Sequence, residues 1–120
     1  MKEFVRDAIP EEIQKMQINI GEFLELYKAG TCELLDIRMP CETAVWQLSF
    51  GLKIPANALP ERLKEVPKDR LIVVACPYNT RSNIARQWLA LQGYETRYLT
   101  EGLLGLMDHL KGGMAREVNL

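Results

Sequence analysis

The chain has 120 residues but only one histidine, and its three cysteines form no Cys-x-x-Cys pair. A zinc site and a cysteine–histidine catalytic pair both lack the residues to build them, so no metal and no cofactor is expected. No apolar run approaches the roughly 20 residues that cross a bilayer. The N-terminus, Met1-Lys2-Glu3-Phe4-Val5-Arg6-Asp7, carries acids and no apolar stretch of the secretory kind. An odd cysteine count without an export signal fits free thiols in a reducing compartment, and a cytoplasmic location is expected. An excess of one charge is also missing. Fifteen basic and 16 acidic residues leave a net charge of −1, which gives no general attraction to nucleic acid or to an acidic membrane surface.

What is present suits a single domain. The composition is 48% hydrophobic and 26% charged, with enough length to bury a core. Residues 1–16 are charged and mixed and read as an N-terminal extension, with Pro10-Glu11-Glu12 opening a short helix. A strand is expected at 17–20. A helix follows over 22–29, with Phe23, Leu24 and Tyr27 on one face and Gly30 as its stop. Further strands are expected at 34–36, 52–54, 71–75 and 96–99. Between them fall a helical turn at 42–47, a short helix at 60–65 and a helix at 82–92. The 82–92 helix has Ile84, Ala85, Trp88, Leu89 and Leu91 largely on one side. A last helix runs over 103–110, and Gly112-Gly113 opens a loose tail that takes in residues 113–120. Strands alternating with helices imply an α/β fold, a parallel sheet covered on both faces.

The segment Leu71-Ile72-Val73-Val74-Ala75-Cys76-Pro77-Tyr78-Asn79-Thr80-Arg81-Ser82 carries the chemistry. A β-rich run ends at Cys76, a short polar loop follows, and a helical pattern begins. A thiol so placed faces the unpaired N–H donors of a helix start, an arrangement that favours the thiolate nucleophile. Arg81 adds a permanent charge and a planar fork of donors. Asn79 tolerates the left-handed backbone that a tight cradle often needs, and Ser82 is placed to cap the helix. Pro77 works against the cradle because it has no N–H.

In a parallel sheet, sites lie outside the carboxyl ends of the strands. A second strand ends in Asp36-Ile37-Arg38, which reaches the Cys76 loop if the two strands are neighbours. Asp36 is read as a brace for loop N–H groups or for an arginine. Arg38 is left between an anion contact and a structural ion pair. Trp46 and Trp88 read as core or pocket wall, His109 as solvent-facing, and Cys32 as an ordinary thiol in a turn. Cys41, just past Arg38, is a lesser candidate for a resolving or sensing thiol.

These residues together resemble the rhodanese-homology family of sulfurtransferases, from about Ile18 to Lys111. Leu34-Leu35-Asp36-Ile37-Arg38 is similar to that family's strand and Asp-x-Arg segment. Leu71 to Ser82 is similar to its central strand and Cys-x-x-Gly-x-Arg-Ser loop, and Glu101-Gly102-Leu103-Leu104 to the Gly-Gly segment that opens its last helix. Asn79 departs from the family's glycine, and Pro77 from its arginine or glycine. Trp46 to Gly51 departs from its Gly-His-Ile-Pro-Gly-Ala segment.

The resemblance implies a rhodanese-like domain over 17–112, with a five-stranded parallel sheet and helices on both faces. It also implies a Cys76 nucleophile served by the loop Pro77, Tyr78, Asn79, Thr80, Arg81 and Ser82, with Asp36 and Arg38 in support. Arginine five positions after the cysteine is the family's sulfur-transfer spacing. Related phosphatases and arsenate reductases have one residue more. The activity so implied moves a sulfane sulfur from thiosulfate, polysulfide or a partner protein's persulfide, through a Cys76 persulfide, to a thiol or cyanide. The alternative is a sulfur-carrier or docking module with little turnover on small donors, motivated by Pro77 and the altered 46–51 segment. A catalytically idle scaffold fits less well, since both the cysteine and the arginine are kept. Assembly is left as monomer or homodimer, with Phe4, Val5 and Ile9 offering apolar contacts.

Overall fold

Five short strands form one wholly parallel sheet in the order β1-β5-β4-β2-β3 in the computed structural model, which describes residue 2, residue 6 and residues 8–118. Phe4 and Val5 lie outside the described residues. The elements in chain order are α1 (Ile9–Met16), β1 (Gln17–Ile18), α2 (Ile20–Lys28), β2 (Cys32–Asp36), α3 (Pro40–Val45), β3 (Leu52–Lys53), β4 (Leu71–Ala75), α4 (Thr80–Leu91), β5 (Thr96–Leu99) and α5 (Gly102–Leu110). No described helix is long and apolar enough to cross a membrane.

The sheet is covered on both faces, and its central strand β4 reads as a continuous apolar run for that reason. Alternate residues feed two core layers. Leu34, Val73 and Ala75 meet Phe23 and Leu24 of α2 and Leu103, Leu106 and Leu110 of α5. Leu35, Ile72 and Val74 meet Leu89 of α4 together with Ile54, Leu59 and Val66. The β2–β4 ladder is the longest, pairing Cys32 with Leu71 through to Asp36 with Ala75.

Several local expectations change. Cys32 begins β2 and is buried, rather than sitting in a turn. The helix expected at 60–65 is replaced by two 3₁₀ turns, Ala56–Ala58 and Leu63–Glu65. Pro60 lacks an N–H, and Pro67 holds Val66 extended. The Tyr94 hydroxyl lies 3.2 Å from the Leu63 carbonyl oxygen and 3.0 Å from that of Val66, and it donates to the nearer, Val66, which a longer helix would have paired internally. Residues 112–118 of the expected tail are not loose: Gly112–Val118 coils as a 3₁₀ helix and sets Val118 into the core. His109, still partly exposed, turns its Nε2 toward Glu117 of that coil, at 3.5 Å. On α4, Leu89 is buried, whereas Ile84 is 65% and Leu91 83% exposed. The expected apolar face of that helix is split.

Gly102 fixes the approach of α5 to the end of β4. Its φ is +70°, and a Cβ there would overlap the carbonyl oxygens of Pro77 and Tyr78 and lie 2.7 Å from Tyr78 Cα. Gly30 has nearly the same backbone, with φ +75°, but a Cβ on it would meet nothing within 4 Å. Gly30→Ala is expected to cost only the left-handed strain, about 1 kcal/mol. Gly102→Ala adds displaced backbone to that strain, for at least about 3 kcal/mol. Urea unfolding of the two variants measures the difference, and equal costs would contradict the contact.

Candidate active site

The connection from β2 leads to β3 at one edge of the sheet, and the connection from β4 leads to β5 on the other side. The carboxyl ends of β2 and β4 therefore part at a topological switch point, where parallel sheets open a crevice. Cys76 is the first residue beyond β4 and is 2% exposed. Its carbonyl accepts from the Leu103 N–H at 2.8 Å, and the Pro77 carbonyl accepts from Leu104 at 3.2 Å, so the start of α5 grips the base of the loop. Asn79 Nδ2 donates to the Thr100 carbonyl at 2.9 Å and ties the far side. Its φ is −146°, so the left-handed backbone expected at this residue is not used.

Helix α4 starts two residues earlier than expected, and this changes the part played by Ser82. Asn79 takes the cap position, and Ser82 lies within the first turn, fully buried. Its N–H donates to Cys76 Sγ at 3.4 Å. Its hydroxyl lies 3.5 Å from Sγ, where it accepts from the thiol, and itself donates to the Asn79 carbonyl at 3.1 Å. Cys76, Pro77, Tyr78, Thr80 and Arg81 line a bowl of about 80 Å³. Tyr78 stands at its mouth, 71% exposed.

Arg81 does not present a free charge to the bowl. Its Nη1 and Nη2 donate to the two carboxylate oxygens of Glu42, each at 2.8 Å. Glu42 also accepts from the Met39 N–H at 3.0 Å at the start of α3. The Arg81 hydrogen bonds first, and that of Met39 second, pull the Glu42 carboxyl down to about 2. In return, the hydrogen bonds to Glu42 raise the Arg81 guanidinium above its ordinary value. Sequence reasoning missed Glu42. Pro40 followed by Glu42 is a helix-start pattern, but nothing in the sequence brings it to an arginine 39 positions away.

Asp36 and Arg38 form a buried pair beside this arrangement. Arg38 Nε lies 3.1 Å from each carboxylate oxygen of Asp36, Nη2 donates at 2.8 Å and the Arg38 backbone N–H at 3.0 Å. The guanidinium stacks 4.1 Å from the Trp46 ring centroid. These hydrogen bonds join the two residues to each other and not to the loop. Register still sets Asp36 against Ala75, one residue before the cysteine. Cys41 is exposed on α3. Cys32 is buried in the core, where loss of water and then the charge of Glu33 push its thiol up to about 11.

The Glu42–Arg81 pair has a defined pH window. Glu42 falls from an ordinary 4.5 to about 2 in the folded protein. Its contribution to stability is therefore fully present above pH 4.5 and is lost as the pH falls toward 2. Glu42→Gln is expected to lower stability by up to about 1 kcal/mol at pH 7, the range of a half-exposed pair. In urea titrations the gap between the two proteins should close as the pH approaches 2. A gap that persists at that pH would mean that the carboxylate charge is not its source.

Comparison with known proteins agrees with this geometry. No family model matches the chain. An Allochromatium vinosum protein named sulfurtransferase is 41% identical over 81 residues, which are 68% of this chain and 66% of the relative's length. The crystal structure of a rhodanese-related protein from Thermoplasma volcanium is 25% identical, with a TM-score of 0.69 over 78% of this chain and 91% of its own. A human single-domain sulfurtransferase shares the fold, at 21% identity and a TM-score of 0.69 over 78% of this chain and 96% of its own. With its cysteine loop at the β2–β4 switch point and these relatives, the chain belongs to the rhodanese-like family.

Proposed function

We propose that the protein is a sulfurtransferase that carries a sulfane sulfur as a persulfide on Cys76. The observation that carries this reading is the environment of Sγ. The sulfur accepts the Ser82 N–H and touches the Ser82 hydroxyl in a bowl of about 80 Å³. The loop spacing, with Arg81 five residues after Cys76, favours one added sulfur over a bound tetrahedral oxyanion.

In the first step the Cys76 thiolate attacks the outer sulfur of the donor. With thiosulfate the S–S bond breaks and sulfite leaves with its electron pair, so that Cys76–S⁻ and S₂O₃²⁻ become Cys76–S–S⁻ and SO₃²⁻. An acceptor thiolate, or cyanide, then attacks the terminal sulfur and returns the Cys76 thiolate. This is covalent catalysis by a nucleophile held among fixed donors. The Ser82 hydroxyl can turn its proton from the Asn79 carbonyl to the thiolate, since a hydroxyl donates in only one direction at a time. Arg81, through Glu42, braces the loop. The donor is a small molecule or a partner protein's persulfide.

A second reading, a sulfur carrier with little turnover on small anionic donors, draws support from the same site. Pro77 contributes no N–H, and the Arg81 charge is already matched by Glu42. Intact-mass measurement tests both readings. The reduced protein, incubated separately with thiosulfate and with polysulfide, should gain one sulfur that is lost in Cys76→Ala and kept in Cys41→Ser. Turnover to thiocyanate marks the enzyme, and a persulfide without turnover marks the carrier. A gain that survives in Cys76→Ala, or no gain from either donor, would refute a Cys76 persulfide formed from small donors.

A further inference from the structure

Helix α1 carries its two faces the wrong way round for a helix that packs only on its own domain. At about 100° of turn per residue, Ile9, Ile13 and Met16 fall on one stripe, the i, i+4 and i+7 positions. Glu11, Gln14 and Lys15 fall on the opposite side. These three polar residues line a cleft of about 610 Å³ whose far wall includes Asn19, Glu22 and Arg97, so the polar side faces the domain. The apolar stripe is turned away from it. Ile9 is 39% and Ile13 46% exposed, Met16 is partly buried, and no α1 residue belongs to either core layer.

Burial of an apolar face is what ordinarily holds a short helix. An isolated helix below ~12–15 residues is marginal in water, and α1 has 8 residues, none of them buried. Its stripe calls for a second surface, and the pattern of α1 fits that surface to another copy of itself. A two-fold axis passing beside Ile13 lays two α1 helices antiparallel, with Ile13 against Ile13 and Ile9 against Met16. The charges are complementary in this arrangement. Glu11 and Glu12 lie in the first turn and Lys15 in the last. Glu12 flanks the stripe, and Lys15 lies beyond it on the same side, 3.3 Å from the Glu12 carboxylate. Antiparallel packing sets the acidic turn of each copy beside the basic turn of the other. Glu12 of one copy then stands about one helical rise, ~1.5 Å, out of level with Lys15 of the other. A parallel pair would instead oppose Glu12 to Glu12 and align the two helix dipoles. With a net charge of −1, two copies repel each other little.

We propose that the protein forms a symmetric homodimer through α1, with the Ile9, Ile13 and Met16 stripes packed antiparallel across a two-fold axis. A helix of this length is only ~12 Å long. The contact therefore falls below the ~1,200 Å² of standard interfaces, and the dimer is of the transient, concentration-dependent kind. No α1 residue lines the cysteine bowl, so the inference stands apart from the sulfur-transfer reading.

Sedimentation velocity of the full chain tests it from about 10 µM to about 1 mM, the span in which a small interface associates. The monomer should give way to a dimer over that range. Ile13→Glu, on a helix with no buried residue, should leave the urea midpoint of the monomer unchanged. It should weaken association at least about tenfold, because two carboxylates would meet on the axis. Cross-linking tests the register in a Cys41→Ser background, which removes the exposed thiol. Under diamide, Ile13→Cys should give a disulfide-linked dimer. Gln14→Cys, on the opposite side, should give at least about tenfold less, since its thiols cannot approach to bonding distance. A monomer at every concentration, a dimer equally stable in Ile13→Glu, or equal cross-linking at the two positions would overturn the α1 interface.

Discussion

The pairing of β2 with β4 is the constraint on which the rest of the structure depends. Five residue pairs hold its register, from Cys32 opposite Leu71 to Asp36 opposite Ala75, and the Ile37 N–H carries it one step further onto the Ala75 carbonyl. A slip of one residue would exchange the faces of the strand, moving Leu34 and Leu35 into the wrong core layers. The same register brings the Asp36-Ile37-Arg38 segment level with Cys76. Because the chain leaves these strands in opposite directions, the crevice at their ends is a consequence of topology.

Two ion pairs flank that crevice, and burial gives them different parts. Asp36 and Arg38 are removed from water, and such a pair is tolerable only because nearly every donor and acceptor is matched and the guanidinium face lies on Trp46. It is a structural joint at the end of β2. Arg81 and Glu42 are half exposed, so their pairing adds little to stability. Its effect is electrostatic and local: the one cation of the cysteine loop is matched by Glu42. What holds the thiol in place is instead neutral. The Ser82 N–H and hydroxyl lie against Sγ from α4, while the Leu103 and Leu104 N–H groups hold the loop backbone from α5.

A site whose loop cation is already matched by a carboxylate exerts little long-range attraction on an anion. That agrees with a net charge of −1, which steers neither anions nor cations from a distance. It also accounts for the altered loop. Pro77 removes an N–H that would favour an anion, and the split apolar face of α4 leaves Ile84 exposed and not in the core.

Local pattern alone was enough for β4 and β5, whose bounds follow from runs of β-branched and aromatic residues, and for the strand–cysteine–loop–helix order around Cys76. It failed where competing partners decided the outcome. The Val66 carbonyl went to a tyrosine far along the chain, and Val118 found a core position that two glycines had seemed to deny it. Ser82 looked like a helix cap because serine caps helices, but the helix begins two residues earlier and its hydroxyl lies between Cys76 Sγ and the Asn79 carbonyl. The sequence by itself determined the alternation of strands and helices and the place of Cys76 at a strand end, because periodicity and short loops are local properties. Only the tertiary structure decided that Glu42 would match Arg81 and that Arg38 would turn inward to Asp36 and Trp46. Those contacts join residues that share no local pattern, and they exist only once the sheet has brought them together.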